Sequence, residues 1–304
     1  MHNGKRAVFV SLFKRKSQSA MEYLMTYGWA ILIIAVVLGA LYSLGIFNGI
    51  SFAPKASAGS CQVFRPLGPG TAANINLEGE CQGLLPQYVA QFNCQNSQVS
   101  IPVNELPLGS NPRTMTGWFL VNGNPNSPGE VISYYGIEST SNAFAVWVST
   151  GNWCGAPSGY SVAVDTWGCT YTTITQTSKS TWTFFVVEYT GTARQGYVGI
   201  NGNIYTASTN AVAITSSSNL YFGTGGEAFN GSIANVQVYN TSIDSNQVAA
   251  LYREGIGGAP ITIQNLIGWW PLNGNANDYS GNNNNGQAIN VIYTGSWTSG
   301  YRAP

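Results

Sequence analysis

Charged residues are scarce in this chain. Of its 304 residues only 8% are Asp, Glu, Lys or Arg, and 12 basic residues balance 12 acidic ones, whereas typical soluble domains carry about 25% charged residues. Nothing in the sequence resembles a basic nucleic-acid face, so nucleic acid is not expected as a partner. Asn, Ser, Thr and Gly take the place of charges, which predicts a surface that responds weakly to pH and salt. Such a surface suits an exposed extracellular protein, including one in an acidic medium.

Histidine is almost absent. The only one is His2, at the amino end, which argues against Ser-His-Asp and Cys-His catalytic arrangements. The five cysteines form no CxxC pair. A zinc site therefore has little support, and no metal or cofactor is expected.

The cysteines are instead expected to form disulfides, which are the default outside the membrane. Cys154 and Cys169 flank a stretch that can fold back as a hairpin, and they are the first expected pair. Cys61 with Cys81 is the second, leaving Cys94 over. Pairing of Cys81 with Cys94 is nearly as plausible, and spacing alone does not decide the connectivity.

Charge is missing altogether from Tyr23 to Pro54. About 25 apolar residues at a rise of 1.5 Å span a hydrocarbon core of ~30 Å, so the segment predicts a long apolar helix. A helix that is apolar on all sides must be buried in lipid or against other helices. Small residues along it permit close helix packing: Gly28, Ala35, Gly39, Ala40 and Gly45. Five cations precede it and hold the amino end on the cytoplasmic side: Lys5, Arg6, Lys14, Arg15 and Lys16.

This layout, KRKSQSAMEYLMTYGWAILIIAVVLGALYSLGIF from Lys14 to Phe47, resembles the class III signal of archaeal type IV pilins. The resemblance implies cleavage between Ser17 and Gln18 by the class III signal peptidase, which removes a leader of residues 1–17. Seven basic and twelve acidic residues would then remain. Residues 18–50 would form the filament core, inserted in the cytoplasmic membrane before the pilus machinery assembles it.

One carboxylate, Glu22, stands at the edge of the apolar segment, at mature position five on this resemblance. A carboxylate there is costly unless it is paired, and the amine of Gln18, its own or a neighbour's, is the natural partner. The alternative is a plain membrane anchor with Glu22 at the level of the lipid headgroups. A cleaved secretory signal is disfavoured because the apolar run is too long.

Beyond the helix the sequence predicts a stalk and then β structure. Residues 51–100 are interpreted as a stalk, rich in Gly, Ser, Ala and Pro, with a small β module from Cys61 to about Ser100. From Ile101 onward, β-branched and aromatic runs separated by turns predict strands: Met115–Val121, Glu130–Tyr135, Phe144–Ser149, Tyr160–Asp165, Thr181–Thr190, Gln195–Ile200, Asn219–Gly223 and Gly231–Tyr239. The Asn-Gly dipeptide in Gly199–Asn203 predicts a tight hairpin.

One short amphipathic helix interrupts these strands. Asp244 offers an N-cap with Gln247 completing a capping box, and Gly255 ends the helix. Its apolar stripe is Val248, Leu251 and Tyr252. We expect this helix to lie on the edge of a sheet.

The blocks TMTGWFLV, TWTFFVVEYTG and FNGSIANVQVYNTSIDSNQVAALY follow the order of a laminin-G-like, concanavalin A-like jelly roll. This resemblance covers roughly Ile101 to Gly255 and implies a mainly β chain, with a β-sandwich head over residues 101–304. Residues 268–286 resemble an opening strand of such domains but come last. We expect Ile267–Leu272 and Gln287–Tyr293 (residues 267–293) to complete the sandwich in permuted order. The alternative, a truncated second domain, is disfavoured because some 40 residues cannot bury a core.

Catalysis is not expected in this head. Glycoside hydrolysis needs two carboxylates about 5–9.5 Å apart, and the only close pair in sequence, Glu78 and Glu80, lies outside the jelly-roll region. The other candidates are scattered singly: Glu130, Glu138, Asp165, Glu188, Glu227 and Asp278. Asp278 has oxygen-rich neighbours suited to calcium, but a turn-forming role is favoured for a single carboxylate.

Glycan binding is the more plausible role for the head. Trp118 and Trp182 alternate with apolar strand residues and are expected to be buried, whereas Trp153 and Trp167 are the candidates for stacking on sugar rings. Asn230 and Asn240 each begin an N-x-[ST] sequon and are N-glycosylation candidates.

Together these features predict a structural subunit of an archaeal type IV pilus-like extracellular filament with an adhesive head. Its partners would be copies of itself, the assembly machinery, the membrane and surface glycans or other cells. The alternative is a monomeric membrane-anchored module that binds glycans or proteins. A surface carbohydrate hydrolase is the third hypothesis.

Overall fold

The structure of the chain is a computed structural model. The described residues are 25–41, 85–102, 105–123, 129–136, 143–149, 159–165, 171–210, 215–216, 219–223, 228–262, 264–302 and 304. The chain divides into two compact units, Met1–Lys55 and Ala56–Pro304.

The described part of the first unit is a helix, α1, over residues 25–41. The remainder of the predicted 18–50 helix lies outside the described residues. Large apolar side chains are exposed along α1: Met25, Tyr27, Trp29, Ile31, Leu32, Ile33, Ile34, Val36, Val37 and Leu38. Among the helices in the described residues, none has both the length and the apolar character required to cross a membrane.

The described part of the second unit contains strands and one short helix. In chain order they are β1 Val89–Asn93, β2 Gln98–Ile101, β3 Arg113–Val121, β4 Gly129–Gly136, β5 Ala143–Ser149, β6 Tyr160–Asp165, β7 Tyr171–Thr177, β8 Thr183–Tyr189, β9 Arg194–Ile200, β10 Asn203–Thr209, β11 Leu220–Phe222, β12 Asn230–Tyr239, α2 Ser245–Glu254, β13 Leu266–Trp270, β14 Gln287–Ile289 and β15 Ile292–Thr294.

These strands form two antiparallel sheets. Sheet A has the order β10-β9-β8-β3-β12-β1-β15, and β13 also pairs with β12. Sheet B has the order β14-β2-β11-β4-β5-β6-β7. The chain is therefore mainly β with two packed sheets, as the sequence predicts.

The carboxyl-terminal strands complete both sheets. β13 pairs with β12, β14 pairs with β2 and β15 pairs with β1. In place of the single strand expected over Gln287–Tyr293 there are two, β14 and β15, one in each sheet. β1 and β2, in contrast, were expected in a separate small module, but they belong to sheet A and sheet B respectively. They are short apolar strands that bury Phe92, Val99 and Ile101 in the common core.

Burial in two layers explains the alternation along the central strands. On β3, Met115 and Phe119 point into the core between the sheets, while Trp118 and Leu120 belong to a second apolar cluster. On β8, Phe185 belongs to the core between the sheets and Phe184 to the second apolar cluster. Sheet A is therefore apolar on both faces and needs a cover on its outer face.

Helix α2 supplies that cover. Its N-cap and capping box are present as predicted: the Asp244 carboxylate accepts from Gln247 N at 2.9 Å, and the Gln247 side chain accepts from Asp244 N at 2.9 Å. Tyr252 stacks on Trp118 and Phe184 with ring centroids 5.6 and 5.5 Å apart. The helix thus lies on the face of sheet A, over β3 and β8, and not on a sheet edge as expected. Gly199 makes room for it, because a Cβ there would meet the Tyr252 ring at 2.6 Å.

Candidate functional site

Most residues that the sequence singled out lie outside the described residues. This applies to the predicted cleavage and assembly positions, to the four cysteines expected to form disulfides and to the two tryptophans expected to stack on sugars: Ser17, Gln18, Glu22, Cys61, Cys81, Cys154, Cys169, Trp153 and Trp167. Their roles remain predictions. Cys94 is described; it is buried, and its thiol lies 3.8 Å from Glu130 Oε1.

The tryptophans that are described in the second unit are buried. Trp118 and Trp182 are 2% and 3% exposed, which confirms the packing role expected for them. The others described there are equally inaccessible: Trp147, Trp269, Trp270 and Trp297. An exposed aromatic platform among the described residues must therefore come from other side chains.

A cross-strand row on the face of sheet B away from the main core contains two aromatic rings, one buried and one half-buried. Tyr134 on β4 lies directly opposite Tyr221 on β11, which in turn lies opposite Ser100 on β2. Gln287 on β14 continues the row beyond Ser100, and Ala145 on β5 continues it beyond Tyr134. Because neighbouring strands lie about 4.8 Å apart, these five side chains form one continuous strip, called here the Tyr221 row.

The two rings of the row pack against each other. Tyr134 and Tyr221 stack with centroids 5.2 Å apart and planes inclined by 22°. Tyr134 is nearly buried, whereas Tyr221 is half-buried. Beside them, Asn219 Nδ2 donates to Ser100 Oγ at 3.2 Å. A ring face with adjoining amide and hydroxyl groups can stack on the apolar face of a sugar and hydrogen-bond its hydroxyls.

The sequence did not predict this row, because nothing near the two tyrosines indicates which face of the sheet their side chains occupy. In the run Tyr134-Tyr135, one ring points outward and the other is fully buried in the core. A bulge between Val131 and Ser133 shifts the register of β4 against β5. Alternation counted along the strand does not locate such a bulge.

Two buried carboxyls carry raised pKa values. Burial raises the pKa of Glu130 to about 7, against the lowering effect of its bonds from Asn230 N and the Cys94 thiol. Burial also raises the pKa of Glu188 to about 7, where the Ile243 N–H lowers it and the Asp244 charge raises it.

These carboxyls lie in different places. Glu130 is on β4 of sheet B, and Glu188 is on β8 of sheet A. Asp244, the neighbour of Glu188, uses its carboxylate to cap α2. These contacts are structural, and the expectation that the head is not an enzyme remains a prediction.

Asp278 organises the loop between β13 and β14. Its Oδ1 accepts from Trp269 N at 3.0 Å and from Ser280 N at 2.8 Å. Its Oδ2 accepts from Ser280 Oγ and from Asn284 N, both at 2.9 Å. This is the turn-forming role that the sequence favoured. Among the described residues no group of three or more His, Cys, Asp or Glu side chains is placed to hold a metal.

The described residues match a known family. The family model described as the Concanavalin A-like lectin/glucanases superfamily matches residues 93–249, about half of the chain. A search of curated proteins found no match.

Solved structures resemble this chain at low sequence identity. A candidate carbohydrate-binding protein from Bacteroides ovatus is 15% identical, with a TM-score of 0.52 over 69% of this chain and 60% of that one. A tailspike protein from an Escherichia coli bacteriophage is 15% identical, with a TM-score of 0.46 over 63% and 29%. Domain 4 of an extracellular arabinanase from Geobacillus stearothermophilus, in complex with arabinotriose, is 14% identical, with a TM-score of 0.39 over 55% and 81%. The likeness to the Bacteroides ovatus protein, at 15% identity, shows the fold alone.

Proposed function

We propose that this chain, which belongs to the Concanavalin A-like lectin/glucanases superfamily, is a subunit of an extracellular pilus-like filament whose β-sandwich head binds carbohydrate. The apolar amino-terminal segment assembles with copies of itself, and the head is displayed outside. The proposal includes export through the cytoplasmic membrane and removal of the leader before Gln18.

One observation carries the assembly part. Helix α1 exposes large apolar side chains around its whole circumference, for example Trp29 at 66%, Ile31 at 65% and Val36 at 63%. A soluble monomer that leaves such a helix in water is unfavourable, because each buried apolar side chain gains roughly 1.5–3 kcal/mol over an exposed one. The helix therefore needs lipid or other helices around it.

The test for assembly compares a filament with a membrane anchor. Surface material sheared from cells is imaged by electron microscopy, and its amino terminus is read by mass spectrometry. A filament subunit gives threads whose chain begins at Gln18. A monomeric anchor stays in the detergent-soluble membrane fraction, and this outcome, or an uncut leader on native threads, contradicts the proposal.

The Tyr221 row supports carbohydrate binding by the head. A half-buried ring beside an amide and hydroxyls has the chemistry of a sugar platform. We expect Tyr221→Ala to weaken binding to the best ligand of a glycan array at least about tenfold, since a lost stacking contact of about 1.4 kcal/mol or more is a factor of ten. Tyr205→Ala, which removes a 45% exposed ring from β10, is the matched control. Equal loss in both variants, or binding unaffected by Tyr221→Ala, contradicts the role of the row.

A further inference from the structure

The two sequons of the chain lie in different surroundings. Asn230 begins strand β12, is half-buried, and its side chain packs against Gly123. Its N–H donates to Glu130 Oε2 at 3.2 Å, and its carbonyl accepts from Asn122 N at 3.0 Å. The third sequon residue, Ser232, is 5% exposed. A sugar on Asn230 Nδ2 would have to displace the packing of this side chain against Gly123.

Asn240 is itself exposed, in the connector from β12 to α2, where Thr241 and Ser242 are half-buried. The connector is fixed through its backbone: Asn240 N donates to Asn265 O at 2.9 Å, and Thr114 Oγ1 donates to Thr241 O at 2.8 Å. Buried Ile243 anchors its far end. The backbone of this sequon is thus held by the fold while the Asn240 side chain stays accessible.

A groove opens beside Asn240. It is a shallow, open depression with a volume of about 500 Å³. It is lined by Glu105, Leu106, Pro107, Leu108, Asn111, Pro112 and Asn240. Leu108 is 38% exposed, so the groove presents apolar surface together with an amide and a carboxylate. A sugar tethered at Asn240 has a high effective concentration over this surface.

We propose that Asn240 is N-glycosylated and that the first sugars of its glycan cover this groove. The inference rests on the proposed function, because the modification requires export. The donor is an oligosaccharide joined through phosphate to a membrane lipid. Asn240 Nδ2 forms a bond to C1 of the first sugar while the bond from C1 to the lipid phosphate oxygen breaks. The lipid phosphate is the leaving group, one amide proton passes to a base of the transferase, and nothing is oxidised or reduced.

Peptide mapping of the full chain, purified from the surface of the cells that make it, tests the attachment site. Chymotrypsin cleaves after aromatic residues, and Phe229 and Tyr239 precede the two sequons, so each asparagine falls at the start of its own peptide. We expect a glycan mass on the Asn240 peptide and none on the Asn230 peptide. Ser242→Ala should abolish the mass completely, whereas Ser242→Thr, which preserves the sequon, should retain it.

The outcomes separate this proposal from the proposed function. A chain found in surface threads with unmodified Asn240, or with a glycan on Asn230 alone, overturns the glycosylation proposal only. A chain that never reaches the surface overturns both. For the groove, amide exchange over residues 105–112 should be several-fold faster in the Ser242→Ala chain than in the Ser242→Thr chain. Equal exchange in the two chains would overturn the covering of the groove.

Discussion

Arg113 is a cation held in the interior of the head. Its guanidinium lies between the rings of Phe144 and Tyr189, with Cζ 5.0 and 4.9 Å from their centroids. Nη1 donates to the carbonyls of Gly109 and Asn111, and Nη2 donates to Thr215 Oγ1. Burial lowers its pKa. The planar group therefore joins distant parts of the chain by stacking and hydrogen bonds.

Arg113→Met should lower the free energy of unfolding by about 2 kcal/mol or more, because three acceptors lose a buried donor. Arg113→Lys should not rescue it, since an ammonium neither stacks as a plane nor reaches all three oxygens. Urea unfolding midpoints measure both changes. Arg253→Met, at an exposed site on α2, is the control and should stay within about 0.5 kcal/mol. Full stability of the Lys variant would contradict the stacked arrangement.

Glu130 and Glu188 should make the head more stable in acid. Their pKa values are raised to about 7 in the folded state, above the ordinary value near 4.5, so the folded head binds more protons than the unfolded chain between these limits. Stability is then greatest below about pH 4.5 and falls as pH rises towards 7. This direction agrees with a surface that suits an acidic medium.

The pH dependence can be checked by melting temperatures between pH 4 and 8. Glu188→Gln should raise the melting temperature at pH 8 relative to the parent and change it little at pH 4, which flattens the profile. Glu130→Gln should act in the same direction. Glu254→Gln, at an exposed site at the end of α2, should leave the slope unchanged. A steeper profile in the Glu188 variant would refute the assigned sign.

For single residues, the sequence predicts which side chains are buried better than it predicts which side chains are in contact. Trp118 and Trp182 could be placed in the interior because they alternate with apolar strand residues. Arg113 could not, because Thr215 and Tyr189 lie far away in the chain and no local pattern marks their proximity. The raised pKa of Glu188 likewise depends on a helix that folds back over its strand.

Helix α2 shows what can be predicted at the scale of elements. Its Asp-Ser-Asn-Gln start is a purely local signal, and the structure reproduces it bond by bond. The Asn201-Gly202 turn between β9 and β10 is equally local, with φ of 50° and 82° at its two central residues. The position of α2 on the sheet depends instead on the space left by the missing side chain of Gly199. The sequence of the helix does not indicate where that space is.

Asp244→Ala should lower the free energy of unfolding of the head by about 1 kcal/mol, the usual cost of losing an N-cap carboxylate. Two backbone N–H groups, of Asn246 and Gln247, lose their acceptor. Chemical denaturation measures the change. Ser245→Ala, at the exposed first position of the helix, is the matched control and should have a much smaller effect. Equal effects of the two substitutions would contradict the capping role.

Two strands that the sequence did not predict lie at the edges of the sheets. β7 and β10 lie at the ends of sheet B and sheet A. β10 is exposed along most of its length, so it lacks the alternation of apolar and polar residues that marks a strand with one buried face. Strands with a buried face, such as β3 and β8, were predicted to within two residues at either end.

At the scale of the whole molecule, the sandwich depends on pairing between the two ends of its sequence. β1 lies between β12 and β15, and β2 lies between β11 and β14. Trp297 Nε1 donates to Pro86 O at 3.1 Å, and its carbonyl accepts from Trp182 Nε1 at 2.9 Å. The resemblance to a jelly roll indicated the closing strands, but only the register of the sheets shows that β1 and β2 are their partners.

The last prediction concerns Glu22 and its expected role in assembly through the first unit. Glu22→Ala should leave membrane insertion intact, because it removes a charge from the edge of an apolar segment. It should block filament formation if the expected pairing holds, because the amine of Gln18, its own or a neighbour's, would lose its partner. Immunoblots of membrane and sheared fractions measure both steps, and Glu105→Ala, at an exposed carboxylate of the head, should behave as the parent does. Threads of normal length from the Glu22→Ala chain would refute this pairing while leaving packing of the apolar helices as the force for assembly.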